Sequence, residues 1–300
     1  MCGIAGIFDL EQRRGVDRDL LVRMTRRIAH RGPDGEGIHT EPGVGLGHRR
    51  LSIIDLGGGA QPMWNGRGDV AVTYNGEIYN FASLRDQLAA KGHLFRTRCD
   101  TEVILYAWEE WGEACVEHFN GMFAFAVYDR RRDCLFLARD RLGIKPLHYT
   151  VLADGWLVFG SELKCLYEHP GLDRTPCPEA IEEYFAFGYV PDPRTILKSS
   201  FKLEPGHTLL LRRGRALPTP RRYWDVQFEV APQLADPDAR TEAALESELL
   251  ERLRESVERR LVAEVPLGAF LSGGVDSSAV VALMAGLSDE AVNTCSIAFG

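Results

Sequence analysis

The sequence lacks most of the marks of secreted, membrane and zinc-binding proteins. Its seven cysteines (Cys2, Cys99, Cys115, Cys134, Cys165, Cys177 and Cys295) are odd in number, and none is spaced Cys-x-x-Cys. That argues against a zinc knuckle and against a disulfide framework. No run approaches the ~20 apolar residues of a membrane helix. Met1 to Ile7 has neither the basic start nor the long apolar core of a signal peptide. A reducing cytoplasm is the expected setting, with no membrane partner. Positive charge is not in excess either: 35 Lys and Arg face 43 Asp and Glu, a net charge of −8. This argues against coating nucleic acid or an anionic membrane as the main role, while leaving room for a local site for a small anion.

What is present is enough to bury a core. Hydrophobic residues make up 45% and charged residues 26% of the 300 positions, far from the profile of a disordered chain. Strands are expected at Gly3–Asp9, Val70–Tyr74, Met122–Tyr128, Cys134–Ala138, Trp156–Phe159 and Thr208–Leu211, with Asn75-Gly76 as a turn and residues 129–133 as a hairpin tip. Helices are expected at Asp17–His30, Phe81–Lys91, Thr101–Trp111 and Pro178–Phe187. Interspersed strands and helices predict an α+β sandwich of sheets faced by helices over residues 1–217. Residues 218–240, proline-rich and without periodicity, read as a linker. From residue 241 to 300 the pattern changes. Leu245, Leu249, Leu253, Val257 and Leu261 recur every fourth residue in an amphipathic helix, supported by Glu248–Arg252 and Glu255–Arg259 pairing. A buried strand (Val265–Leu271), a loop (Ser272–Ser278), a helix (Ala279–Ala285) and a strand (Ala291–Phe299) then form the start of a parallel α/β sheet. The expectation is that the chain stops inside this second domain, because a doubly wound sheet needs further units.

Three places carry chemistry. Cys2 follows the initiator methionine, and trimming of Met1 would put a thiol and an α-amine in one residue. That amine has a reference pKa of about 7.7–8.0, suited to a base near neutral pH. Asn75-Gly76 can aim a side-chain amide and a backbone N–H at one point, or be an ordinary hairpin turn. Ser272-Gly-Gly-Val-Asp-Ser277 lies between strand and helix, where glycine-turn amides and a helix N-terminus hold phosphates. Asp276 beside it suggests Mg²⁺ shared with those phosphates. The loop lacks the Gly-x-x-x-x-Gly-Lys-Ser/Thr pattern. The cluster Gly43–Gly47 has no helix after it and is discounted as a dinucleotide site.

Eight runs occur in order: Met1–Phe8, Arg31–Asp34, Gly47–Asp55, Tyr74–Asn80, Cys99–Val103, Asn120–Ala126, Ala138–Pro146 and Phe159–Lys164. Together they resemble the class II, N-terminal-nucleophile glutamine amidotransferase domain, whose fold is an αββα sandwich. With Ser272–Ser278, similar to the pyrophosphate loop of ATP pyrophosphatases, the chain resembles glutamine-hydrolysing asparagine synthetases. The resemblance implies that Cys2 is the nucleophile and that Asn75 and Gly76 form the oxyanion hole. It implies that Arg50 holds the glutamine α-carboxylate, with Leu51, Ser52, Ile53 and Ile54 lining the pocket. Glu77 and Asp100 would bind the ammonium, although Asp100 also stands where a helix N-cap belongs. Arg31 and Asp34 would belong to a flap pivoting at Gly32 and Gly35. Leu271, Ser272, Gly273, Gly274, Asp276, Ser277 and Ile297 would contact ATP, with Asp276 also binding Mg²⁺.

The implied reaction hydrolyses glutamine to glutamate and ammonia. The ammonia then amidates an adenylated aspartate to give asparagine, AMP and pyrophosphate. Homodimers are common in the family. Several alternatives share parts of this sequence. Phe187–Thr195 together with Gly268–Ser278 is similar to amidotransferases of bacterial exosortase and exopolysaccharide systems, which would change the acceptor to another carboxylate or a sugar. The pyrophosphate loop argues against phosphoribosyl and glucosamine-phosphate amidotransferases. Cys2 argues against β-lactam synthetases, and Cys2, Arg50 and Asp100 together argue against a non-catalytic paralogue. A glutaminase-only fragment that releases glutamate without making asparagine is the expectation for these 300 residues.

Overall fold

The computed structural model describes residues 1–226 and 241–298. The chain divides into two compact units, Met1–Asp225 and Val226–Gly300. In the first, the helices are α1 (Arg18–Arg26), α2 (Phe81–Ala90), α3 (Thr101–Trp111), α4 (Leu163–Leu166) and α5 (Pro178–Phe187). One six-stranded sheet runs β10 (Ser200–Lys202), β8 (His148–Val151), β9 (Trp156–Gly160), β1 (Gly3–Asp9), β3 (Val44–Arg50), β2 (Gly35–Glu41). The other runs β12 (Arg221–Arg222), β11 (His207–Arg212), β7 (Cys134–Arg139), β6 (Gly121–Asp129), β5 (Val70–Ile78), β4 (Met63–Trp64). All pairs within both sheets are antiparallel.

Side-chain alternation along the strands assigns each residue to a layer. Ile4 and Phe8 of β1 meet Leu46 of β3 and Ala124, Ala126 and Tyr128 of β6 in the core between the sheets. Ala5 and Ile7 point the other way, onto Leu20, Met24 and Ile28 of the α1 segment and onto Cys165 and Leu166 of α4. Phe123, Phe125 and Val127 of β6 face Val103, Ile104 and Trp108 of α3 and Leu84 and Leu88 of α2. The result is the expected αββα sandwich, with three apolar layers between four layers of secondary structure.

Several local expectations are corrected. Asn75-Gly76 is no turn: β5 continues to Ile78, with Asn75 opposite Ala124 and Gly76 opposite Phe123 in an unbroken ladder. Gly76 serves close approach there, since a Cβ would lie 2.2 Å from the Met122 carbonyl oxygen and 2.7 Å from Phe123 Cα. The helix expected over Asp17–His30 ends at Arg26 and is followed by a short 3-10 turn, Ala29–Arg31. Strands β2 and β3 were hidden by glycine. At Gly47 a Cβ would sit 2.1 Å from Thr25 Oγ1, so glycine is what lets α1 lie on β3. Within the stretch read as a linker, Arg221–Arg222 form β12, and 227–240 lies outside the described residues.

The second unit holds α6 (Glu242–Glu258), β13 (Gly268–Phe270), α7 (Val275–Leu287) and β14 (Asn293–Cys295). Thr241 caps α6, its hydroxyl accepting from Ala244 N at 3.2 Å. Glu248–Arg252 and Glu255–Arg259 pair along the helix as expected. Strands β13 and β14 pair in parallel across α7, as the pattern implied. Both are shorter than expected, because their outer residues make no ladder pairs, and residues 299–300 lie outside the described residues. Helix α7 starts at Val275 rather than Ala279, so Val275 to Ser278 are its first turn instead of loop.

Two buried histidines link this packing to pH. His48 donates from Nε2 to the Tyr74 carbonyl at 3.0 Å, tying β3 to β5 across the inter-sheet layer. Burial pushes its pKa down to about 3, against the raising effect of that hydrogen bond. Burial likewise pushes His148 down to about 4. A histidine that is neutral when folded and titrates near 6.5 when unfolded contributes stability that is fully present above pH 6.5. It is lost as pH falls toward the folded value, by up to ~1.4 kcal/mol per unit for each histidine. Urea midpoints should therefore fall from pH 6.5 to 4, and the slope should flatten in His48→Gln. Replacing Gly76 by Ala should cost about 3 kcal/mol or more in the same assay, since the obstructing atoms are backbone.

Candidate active site

Alternation also decides which side chains reach the inter-sheet layer at one end of the sandwich. Cys2 has the parity of Ile4, Arg50 that of Leu46, and Asn75 and Glu77 that of Ala71. All four therefore turn toward the same gap, where they line a cleft of about 570 Å³ counted to its open mouth. Leu51, Ile53, Ile54, Gly76 and Asp100 line it too, so of the residues expected around glutamine Ser52 alone stands outside the lining. Its backbone N–H donates to Asp34 Oδ2 at 2.8 Å instead.

Cys2 is fixed from three sides. Its Sγ lies 3.3 Å from the Leu51 N–H and 3.5 Å from the Leu51 carbonyl oxygen. Its own carbonyl accepts from Arg31 Nε at 2.9 Å. Arg31 in turn binds Glu162 at 2.9 Å, which also receives His30 and Lys164. Burial pushes Glu162 up, but those three partners hold it down at about 2. Burial pushes the Cys2 thiol above its ordinary range. The Leu51 amide, the positive N-terminus and Arg50 oppose that shift, and Asp100 reinforces it.

Asn75 is fully buried, and neither its Oδ1 nor its Nδ2 has a hydrogen-bond partner among the described residues. An orphaned buried amide costs about 1–3 kcal/mol, and such a group calls for a reason. Arg50 wraps the loop that follows it, donating to the carbonyls of Leu56 (3.1 Å), Asp55 (2.6 Å) and Ile54 (3.3 Å). These bonds use three of its five N–H donors. Asp100 does not cap α3 with its side chain, because its backbone is already helical. The carboxylate accepts instead from Tyr74 Oη at 2.8 Å and Ile78 N at 3.0 Å, crossing from α3 to β5. Burial raises its pKa despite those bonds. Glu102 holds the turn before α3, accepting from the amides of Arg96 and Thr97.

Reading the motifs missed several lining residues: Gly59, Gln61, Tyr74, Cys99, Thr101, Met122 and Lys145. Tyr74, Cys99, Thr101, Met122 and Lys145 all stood inside runs that had been singled out, without a role of their own. Gln61 is placed by function of the backbone, its Oε1 accepting from Tyr74 N at 2.7 Å.

In the second unit, Ser272, Gly273, Gly274, Asp276 and Ser277 gather at the start of α7. Ser272 Oγ and Ser277 Oγ are 3.0 Å apart, Gly274 N donates to Ser272 Oγ at 3.4 Å, and Gly273 has φ +82°. Asp276 lies in the first turn of α7 and is the sole carboxylate of the segment 272–278. Leu271 bonds the Cys295 carbonyl through its N–H at 2.9 Å, and Ile297 is exposed two residues beyond β14.

Comparison with known proteins follows this division. A model of the glutamine amidotransferase domain matches residues 1–224, and a model of asparagine synthase matches residues 248–300. The chain is 40% identical over 289 residues to glutamine-hydrolysing asparagine synthetase 3 of Bacillus subtilis, covering 95% of the chain and 45% of that protein. It is 36% identical over 324 residues to a putative glutamine-hydrolysing asparagine synthetase of Methanocaldococcus jannaschii, covering all of the chain and 60% of that protein. The chain thus spans about half the length of the curated relatives it matches. The solved structure of the glutamine phosphoribosylpyrophosphate amidotransferase from B. subtilis shares the fold at a TM-score of 0.54 and 16% identity, over 98% of this chain and 65% of that one. With three-quarters of its residues matched by one domain model and the expected sandwich in place, the chain belongs to the glutamine amidotransferase domain family.

Proposed function

We propose that the first unit is a glutaminase with Cys2 as its nucleophile and that its ammonia serves ATP-dependent asparagine synthesis. The observation that carries the reading is the pairing of the Cys2 thiol with the orphaned Asn75 amide in one cleft. Cys2 Sγ bonds to the carboxamide carbon of glutamine, and the developing oxyanion receives Asn75 Nδ2 and the Gly76 N–H. The C–N bond then breaks, and the thiol proton leaves with the nitrogen as ammonia. The Cys2 α-amine, freed once Met1 is removed, relays that proton as a base of near-neutral pKa. Water attacks the thioester and releases glutamate. In this reading Arg50 re-aims its unused donors at the substrate α-carboxylate, in the parallel fork geometry a guanidinium supplies. Glu77 and Asp100 face the substrate ammonium, and Leu51, Ile53 and Ile54 wall the cleft.

For the second unit we propose ATP binding at Ser272, Gly273, Gly274, Asp276 and Ser277, with Leu271 and Ile297 against the nucleotide. The backbone donors and hydroxyls at the start of α7 suit phosphates, and a lone carboxylate beside phosphates suits Mg²⁺, which keeps most of its ligands as water and phosphate oxygen. When bound, the ion would neutralise phosphate charge as AMP is transferred to the acceptor. The names of the relatives support aspartate as acceptor and asparagine as product, these metabolites suit a cytoplasmic location, and the resemblance supports a homodimer.

Glutamate release from glutamine by the purified chain tests the glutaminase. It should vanish in Cys2→Ala. Asn75→Ala should lower kcat by about 10²–10³ with little change in KM. Its melting temperature should hold or rise, because the substitution removes an unpaired buried amide. Release that survives Cys2→Ala would overturn the assignment.

A further inference from the structure

The run Ala138–Pro146 brings a lysine into the cleft, and the scheme above gives that lysine no part. Lys145 is 1% exposed and lines the cleft with Cys2 and Asn75. The turn before it is built to put it there. Asp140 accepts from the backbone N–H groups of Phe123 (3.2 Å), Leu142 (3.1 Å), Ile144 (2.9 Å) and Lys145 (2.9 Å). Arg139 donates to the carbonyls of Lys145 and Gly143, both at 2.9 Å, and is itself held by Asp192 at 2.9 Å.

Nζ of Lys145 meets Met1 Sδ at 2.6 Å, and among the described residues no carboxylate forms an ion pair with it. A thioether is a weak acceptor, so this is a costly place to keep an ammonium. It stands against the residue that precedes Cys2, and removal of Met1 would leave its donors facing the new N-terminus.

We propose that Lys145 is a positioning residue, whose buried ammonium adds to Arg50 a second positive charge that favours the Cys2 thiolate and the neutral form of the amine beside it. The inference rests on the reading of Cys2 as nucleophile. The other charged groups around this end are Arg31 and Asp34 after α1, Arg50 at the end of β3, Glu77 on β5, Asp100 before α3 and Asp140 in the lysine's own turn. Burial lowers the pKa of Lys145, and Arg31 adds to that, while Asp140, Glu77 and Cys2 favour its charged form. At the amine of Met1, one residue ahead of the Cys2 nitrogen, burial lowers the pKa first, Cys2 opposes, and Lys145 and Arg31 lower it further.

The test is the pH dependence of Cys2 alkylation by iodoacetamide, read by mass spectrometry of the N-terminal peptide, which needs no turnover. Loss of a nearby cation raises the pKa of a thiol and of an amine alike. In Lys145→Met the alkylation midpoint should rise by about one pH unit, with a roughly ten-fold slower reaction at neutral pH, and the acid limb of glutamate release should move the same way. Lys145→Arg should restore both. An unchanged midpoint in folded Lys145→Met overturns the inference. If that variant does not fold, Lys145→Gln, which removes the charge but keeps a polar side chain, is read in its place: a rise of about one unit upholds the role of charge, and an unchanged midpoint refutes it. A wild-type chain that alkylates at Cys2 but releases no glutamate sinks the glutaminase reading instead, so the two failures are told apart.

Discussion

Everything at the cleft depends on β1 being a central strand from almost its first residue. Gly3 to Phe8 pair with β3 on one side, and Ala5 to Asp9 with β9 on the other. Ile4 N and O are further bonded to Ser161. Chain termini ordinarily fray because nothing ties them down. Here the ladder, the Arg31 bond to the Cys2 carbonyl and the tight fit of Gly3 against Ile28 tie the second residue to the centre of a sheet. In the proposed glutaminase, a thiol held next to such a strand would lose little further freedom on meeting glutamine, which is the entropic half of positioning.

The other end of β1 is anchored by charge. Asp9 is fully buried and accepts from the amides of Glu11, Gln12 and Arg14 and from the Arg14 guanidinium. Burial raises its pKa, but these bonds outweigh burial and hold the carboxyl well below the usual range. Asp100 shows the opposite balance, since burial prevails over its hydrogen bonds. One carboxylate is spent on structure, in a shell of five donors. The other lines the cleft with fewer donors, an unequal pairing of the kind found at functional sites.

How much of this was legible in the sequence follows from burial on both faces of the sheets. The strands that form continuous apolar runs, β1, β6, β7 and β9, were readable, and so was the sandwich they imply. Strand β3 was not, because Gly45 and Gly47 replace the apolar signal with close packing against α1. Asn75-Gly76 misled for the same reason: a turn signature marked a place where two backbones approach. The cleft residues Cys2, Arg50, Asn75, Glu77 and Asp100 were legible through motif resemblance. Tyr74 and Gln61 were not, because their contribution is a hydrogen bond between elements far apart in sequence. The second unit was legible as strand, loop and helix, with the helix start misplaced because Gly274 rather than a serine precedes the first helical turn.

The location of Met1 has a practical consequence for handling the protein. Met1 lines the cleft and meets Lys145 from inside it. A peptide joined ahead of it would begin at the wall of the cleft and, in the reading of Cys2 as nucleophile, would keep the Cys2 α-amine blocked. An affinity tag on that end would behave as a tethered plug, present at a high effective concentration whatever its sequence. Purification handles belong at the opposite end of the chain.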